Sequence, residues 1–171
     1  MTNRRERLVL RPAKPDDAAL LADWDRLPHV RAASGGDFYE DWQTELARVL
    51  PWRDWRIAEV DGRSIGAVQI IDPAQEETHY WGDVPAGLRA IDLWIGPADA
   101  LGRGYGTLMM QQALDVCFQD PQVIPVLVDP MAANLRAHRF YQRLGFQDQG
   151  PRRFGEDDCR VFRLDRAVWA V

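Results

Sequence analysis

The sequence predicts a single α/β (α+β) domain over residues 1–171, with one central mixed, mostly antiparallel sheet flanked by about four helices. Three observations predict it. Strand-like and helical runs are mixed without the strict alternation of a parallel βαβ protein. Asp61-Gly62 between two strand-like runs signals a tight hairpin. An apolar strand, a glycine-rich turn and a helical pattern follow one another from Ile91 to Thr107. The length suits one domain, and the 46% hydrophobic fraction suits a packed core.

Taken in order, Leu8-Val9-Leu10 reads as a short strand. Pro15-Asp16-Asp17 opens a helix, with proline and acids in its first turn and Ala18, Leu21, Ala22 and Trp24 at helical spacing. Residues 34–37 read as a flexible loop. A second helix is expected over about 39–50, with Trp42, Leu46, Val49 and Leu50 on one face and Pro51 ending it. Strands at 55–60 and 64–71 flank the Asp61-Gly62 turn. Residues 73–87 form a long polar loop carrying Tyr80-Trp81, and loops of that length are often functional.

The central strand is expected at 88–95 and a helix at 104–118, with Leu108, Ala113, Leu114 and Phe118 facing the core. Residues 123–128 are almost all apolar, as in a strand covered on both faces. The last helix is expected over 134–144, with Asn134 as N-cap and Gly145 as C-terminal cap. Residues 146–149 and 159–164 read as closing strands.

Net charge is −5, which argues against nucleic acid as a partner. Lys14 is the only lysine, so the arginine excess reads as compositional bias rather than phosphate recognition. No run approaches a membrane span and no apolar signal region follows the arginine-rich start, so the expected compartment is the cytoplasm. Cys117 and Cys159 lack metal-ligand spacing and are expected to be reduced. Acids cluster at Glu76, Glu77 and Asp83, and again at Glu156, Asp157 and Asp158. Each cluster reads either as a solvated loop or, if both face one cleft, as a lure for a cation.

Four features carry chemistry. Alternation along the central strand puts Ile91, Leu93 and Ile95 on one face and Asp92 with Trp94 on the other. A mid-strand carboxylate is costly if buried alone, so Asp92 either lines a site, pairs with an arginine or faces water. Asp129 ends a strand, where open sheets place ligand groups, but Asp129-Pro130 also suits a plain turn. The turn Leu101-Gly102-Arg103-Gly104-Tyr105-Gly106 precedes a helix, a context in which backbone N–H groups and the helix dipole hold a phosphate. It lacks the Lys-Ser/Thr of a Walker loop and opens no Rossmann unit, and a structural turn is the plainer reading. Finally, residues 134–146 read N-x-x-A-x-x-x-Y-x-x-x-G-F. Tyr141 there is either a core aromatic or a phenolic donor, and His138 reads as a surface residue.

The glycine turn followed by the asparagine–tyrosine helix resembles the GNAT superfamily of acetyl-CoA-dependent N-acetyltransferases. From about residue 8 to residue 164 the chain is similar to the aminoglycoside 6′-N-acetyltransferases of that superfamily. The matching segments are Ile91-Asp92-Leu93, Leu101 through Thr107, Phe118-Gln119-Asp120-Pro121, Asp129-Pro130, Asn134-Leu135-Arg136-Ala137, and Tyr141 with Gly145-Phe146. The same arrangement is similar to acetyltransferases of siderophore biosynthesis, which acylate a lysine-derived amine or hydroxylamine. Two departures stand out: Leu101 replaces a frequent Gln or Arg, and the loop at 73–87 matches poorly.

The resemblance implies a GNAT-type fold, acetyl-CoA as cofactor and a small cationic amine as acceptor, in a monomer or homodimer with an antibiotic-resistance role. It implies that Leu93, Trp94 and Ile95 hold the thioester carbonyl through backbone N–H groups. Leu101, Gly102, Arg103, Gly104, Tyr105, Gly106 and Thr107 hold the phosphates, and Asn134 and Ala137 complete the cofactor site. Asp92 is implied as general base and Tyr141 as donor to the departing thiolate. Glu77, Trp81, Asp92, Asp129 and Asp157 are the expected acceptor contacts. A peptide N-acetyltransferase is the other enzymatic reading. A non-catalytic acyl-CoA-binding module needs only the glycine turn, so the presence of both Asp92 and Tyr141 argues against it.

Overall fold

The structure, a computed structural model, describes residues 7–35 and 39–169. Gly36 and Asp37 of the expected loop, and the residues before Arg7, lie outside the described residues. Among the described residues seven strands form one sheet: β1 (Leu8–Pro12), β2 (Arg53–Val60), β3 (Arg63–Ile71), β4 (Arg89–Ile95), β5 (Pro125–Val128), β6 (Gln147–Phe154) and β7 (Asp157–Asp165). Their order is β1-β2-β3-β4-β5-β7-β6, and β4–β5 is the parallel pair among antiparallel neighbours. The helices are α1 (Ala18–Asp25), α2 (Pro28–Ser34), α3 (Trp42–Ala47), α4 (Tyr105–Phe118), α5 (Leu135–Arg143) and α6 (Arg166–Trp169). The mixed, mostly antiparallel sheet is the one the sequence predicts.

The alternation along β4 sorts the two faces. Ile91, Leu93 and Ile95 pack with Met109, Met110 and Leu114 of α4 and with Tyr141 of α5. Trp94 points the other way, into a cluster with Leu21 and Trp24 of α1, Trp42 of α3, Ile57 and Ala67. Met109, Met110 and Leu114 are fully buried, and each such side chain contributes on the order of 1.5–3 kcal/mol by leaving water. A third cluster, Trp81, Leu88, Leu127, Phe154 and Val161, roots the long 73–87 loop against β5, β6 and β7. The β2–β3 turn has Asp61 at φ 49° and Gly62 at φ 82°, both left-handed, as the hairpin signal requires. Cys117 and Cys159 are both buried thiols, and burial pushes the Cys117 thiol up to about 12. Among the described residues no helix is long and apolar enough to cross a membrane.

Several expectations are corrected. The second helix is only Trp42–Ala47, because Arg48 turns extended and Pro51 follows. Val49, expected in its buried face, is 95% exposed. Leu108 is 41% exposed, because the buried stripe of α4 runs through Tyr105, Met109, Met110, Ala113, Leu114 and Cys117. His138 is buried rather than on the surface: its ring lies 5.3 Å from that of Phe162, and its Nε2 is 3.0 Å from the Met131 carbonyl. The closing strands are longer than expected and meet at a turn through Gly155 and Glu156. The short helices α2 and α6 were not expected. Pro28 at the first helical position was the available signal for α2.

Candidate active site

The parallel pair β4–β5 is registered at two positions only, Arg89 with Val126 and Ala90 with Leu127. Beyond them β4 stays paired to β3, from Ala90 with Ile71 to Ile95 with Gly66. The sheet therefore opens along the β5 side of β4. Carried on by two residues, the β4–β5 register sets Asp92 of β4 level with Asp129, the residue after β5.

The field of these acids is felt by three phenols. The Tyr141 hydroxyl is pushed well above the ordinary tyrosine range, first by burial and then by Asp92 and Asp129. Tyr141 is 8% exposed and held among Phe140, Phe146 and Phe162. Such a phenol stays protonated at neutral pH and serves as a donor. The Tyr80 hydroxyl donates to Asp129 Oδ2 at 2.7 Å and is raised by burial, then by Asp129, with Asp92 contributing. Tyr39 is raised chiefly by burial, with Asp92 among the smaller causes. Its hydroxyl accepts from Gln69 Nε2 at 3.1 Å, and Gln69 is the cross-strand partner of Asp92. Asp92 itself is solvent-exposed.

The glycine turn sits at the other end of the opening. Gly102 and Gly104 have φ of 71° and 82°, and a Cβ added to either would meet nothing within 4 Å. Both positions thus need glycine for the backbone angle and leave open space above it. Intrahelical bonding begins at Thr107 and Leu108, whose N–H groups donate to the Gly104 carbonyl at 3.1 and 3.4 Å. The N–H groups that precede this ladder lie at the exposed glycine turn, a setting that favours an anion. Leu101, Gly102, Arg103 and Gly104 are partly or fully exposed, and the Arg103 guanidinium lies 5.2 Å from the Tyr105 ring centre. Asn134 caps α5 through Oδ1, which accepts from the Ala137 N–H at 3.1 Å. On the neighbouring helix Phe140 covers Gly106, with 3.7 Å from the ring to an added Cβ.

Not every expected site residue meets this centre. Glu77 is exposed and paired with Arg48 at 2.9 Å. Trp81 is 4% exposed inside its own apolar cluster, so Tyr80 is the aromatic of that loop that reaches a carboxylate. Asp157 lies over Gly35, just past α2, beside Met131. Three contributors were not among the expected site residues: Tyr80, the Gln69–Tyr39 pair, and His29, whose Nε2 is 3.0 Å from the Ile95 carbonyl. Glu76 supplies the loop's internal order, accepting from the N–H of Thr78 and of Tyr80 at 2.7 and 2.9 Å. Glu76 followed by Thr78 was the one local signal for that turn.

A left-handed glycine turn at a helix N-terminus and a capped asparagine–tyrosine helix are the parts that the two sequence motifs imply, and the structure adds the splayed parallel pair. The family model described as "Acetyltransferase (GNAT) domain" matches residues 14–154. The chain belongs to the GNAT acetyltransferase family. Among its relatives is aminoglycoside N(6′)-acetyltransferase type 1 of Klebsiella pneumoniae, 31% identical over 162 residues, covering 88% of this chain and 79% of the relative. The solved structure of aminoglycoside acetyltransferase AAC(6′)-Ib in complex with coenzyme A superposes with TM-score 0.87 at 28% identity, covering 96% of this chain and 98% of that one. The same enzyme in complex with coenzyme A and kanamycin gives 0.86 at 27% identity, with the same coverage. The GNAT protein described here is therefore an acyltransferase, and acetyl-CoA is its cofactor, as the motifs led one to expect. The open space above Gly102 and Gly104 and the open edge of β4 fit a long phosphate-bearing cofactor.

Proposed function

We propose that this GNAT enzyme acetylates a primary amine of an aminoglycoside, in the manner of a 6′-N-acetyltransferase. The observation that supports the reading is that β4 and β5 part next to Asp92 and Asp129, two acids whose charge reaches the buried Tyr141 hydroxyl. The kinship to aminoglycoside acetyltransferases over most of the chain supports the acceptor class. An antibiotic-resistance role and a cytoplasmic setting follow from that substrate and from the use of acetyl-CoA.

When bound, acetyl-CoA supplies the acetyl group as an activated thioester. The chain's own groups do the rest. Backbone N–H groups of the glycine turn and of the first turn of α4 hold the phosphates. Backbone N–H groups of Leu93 and Ile95, which point away from β3, hold the thioester carbonyl and polarise it, whereas that of Trp94 is turned toward Ala67 of β3. An aminoglycoside arrives with its amines protonated, and Asp92 and Asp129 attract that charge. Asp92 takes the proton from the acceptor nitrogen, directly or through a water, so that the nitrogen lone pair can attack. As the C–N bond forms and the C–S bond breaks, Tyr141 gives its proton to the sulfur, and the second proton shed by the acylated nitrogen passes through solvent to restore the Tyr141 hydroxyl. Deep burial and two carboxylates keep that proton on Tyr141 until it is needed.

Asp92→Asn tests the reading. Removing a general base costs about 10²–10⁴ in rate. Thiol release with kanamycin should fall by that factor, while the Kd for acetyl-CoA by calorimetry stays within about twofold because the phosphate contacts are untouched. Undiminished turnover would remove Asp92 from its role. Thiol release at the hydrolysis background with kanamycin, alongside normal acetyl-CoA binding by the unaltered chain, would overturn the aminoglycoside acceptor.

A further inference from the structure

Tyr80 is 40% exposed, yet it is held from three sides. Its N–H donates to Glu76 at 2.9 Å. Its ring stacks on Phe154, with centroids 4.5 Å apart and planes 4° from parallel. The next residue is pinned as well, since Arg152 Nη2 donates to the Trp81 carbonyl at 2.7 Å. Arg152 also sits 4.6 Å from the Phe154 ring centre, so the stack is braced by a cation. A half-open side chain with this much fixation is costly in side-chain entropy unless its free end has a task. That free end is the hydroxyl on Asp129.

We propose that Tyr80 is a positioning residue for the acceptor: its phenol donates to Asp129 and aims that carboxylate at the acceptor amine, with Phe154 and Arg152 fixing the ring. The proposal rests on the reading that Asp129 receives the cationic acceptor. The physical need comes from the neighbouring charges. Asp92 on β4 and Cys159 on β7 are near enough for their charge to act on the Tyr80 hydroxyl, and Asp92 and Asp129 both act on that of Tyr141 on α5. Two neighbouring carboxylates repel each other and drive one another toward protonation. A fixed O–H donor on Asp129 opposes that tendency, because a hydrogen bond to a carboxylate favours its charged form. It also removes the rotational freedom of the carboxylate, so the acceptor meets a preset geometry.

Tyr80→Phe removes the hydroxyl and leaves the stack on Phe154, so folding is preserved. Kinetics are followed by thiol release with kanamycin across pH 5.5 to 9, for this variant, for Asp129→Asn and for the double variant. A hydrogen bond to a charged, partly exposed group is worth about tenfold in binding at the low end. Tyr80→Phe should therefore raise the KM for kanamycin about tenfold, with kcat within about twofold and the KM for acetyl-CoA unchanged. The acid limb of kcat/KM should move to higher pH, since Asp129 loses a donor that favours its charged form. In the Asp129→Asn background the same substitution should add nothing, which a merely structural role of Tyr80 would not produce. If Asp129→Asn raises the KM while Tyr80→Phe changes neither KM nor the acid limb, the role of Tyr80 is wrong and the acceptor reading stands. Losses that multiply in the double variant would likewise overturn it, because Tyr80 would then act without Asp129. A normal KM in Asp129→Asn would remove the acceptor reading itself.

Discussion

Gly104→Ala separates the glycine turn as a cofactor cradle from the glycine turn as a plain structural corner. Gly104 sits at φ 82°, and an added Cβ would meet nothing within 4 Å. The substitution is thus free of steric clash, and its whole cost is the left-handed backbone, about 1–2 kcal/mol. The turn is exposed and little packed, so in the free enzyme it can relax into an ordinary conformation. Bound phosphates demand the original one, and the cost then appears in the cofactor affinity. About 1–2 kcal/mol is about 5- to 30-fold, so the Kd for coenzyme A by calorimetry should rise by that factor. Gly150→Ala is the matched control: φ is 95°, an added Cβ again meets nothing within 4 Å, and the residue sits in the β6 edge strand. Its backbone cost should lower Tm by about 2–8 °C and leave the Kd for coenzyme A unchanged. An unaltered Kd in Gly104→Ala, or an equal loss of affinity in Gly150→Ala, refutes the cradle.

Four further expectations follow from the structure. Tyr141→Phe should lower kcat less than Asp92→Asn does, because solvent can protonate a thiolate, and equal rates for Tyr141→Phe and the unaltered enzyme would return Tyr141 to a packing role. Because its hydroxyl is raised above the ordinary value, Tyr141 itself should cause no fall in kcat up to about pH 10. Gly96→Ala would drive a Cβ into the ring of Trp24, which is 5% exposed and unable to move aside, so a stability loss of about 1–3 kcal/mol is expected by urea denaturation. The Arg11 guanidinium, bound to both oxygens of Asp17 at 2.8 and 2.7 Å, holds the Asp17 carboxyl below its usual value. A depressed folded-state pKa contributes stability above the unfolded value near 3.8 that is lost as pH falls through the folded value. Asp17→Asn should therefore reduce stability at pH 7 but reduce it less in the acid range below that value, and a pH-independent difference would exclude the linkage.

The sequence by itself determined the donor half of this protein. The features at Gly102, Gly104, Asn134 and Tyr141 rest on local geometry, namely left-handed backbone, an N-cap and helical spacing, and each of these is written in neighbouring residues. The alternation of Ile91, Asp92, Leu93 and Trp94 likewise assigns the two faces of β4, because a strand has a period of two. Strong punctuation by Asp61-Gly62 and Gly145 also made most elements legible. Elements of one or two turns, such as α2 and α6, carry too few positions to display a period. Where Val49, Leu108 and His138 would lie depended on neighbours from distant segments, which no local pattern contains.

Only the tertiary structure decided the acceptor half. That Asp92 and Asp129 stand level depends on a two-position parallel register between strands separated by all of α4. Whether Tyr80 or Trp81 would face the opening depended on which ring the β6–β7 hairpin could bury, and Phe154 stacks on Tyr80 while Trp81 fills the cluster beneath. Glu77 was drawn off by Arg48, a partner set by the early end of α3. The physical reason is the same in each case. A phosphate is held by backbone that a short sequence can shape, whereas a polycationic acceptor is met by side chains gathered from several elements, and their distances exist only once the sheet has closed.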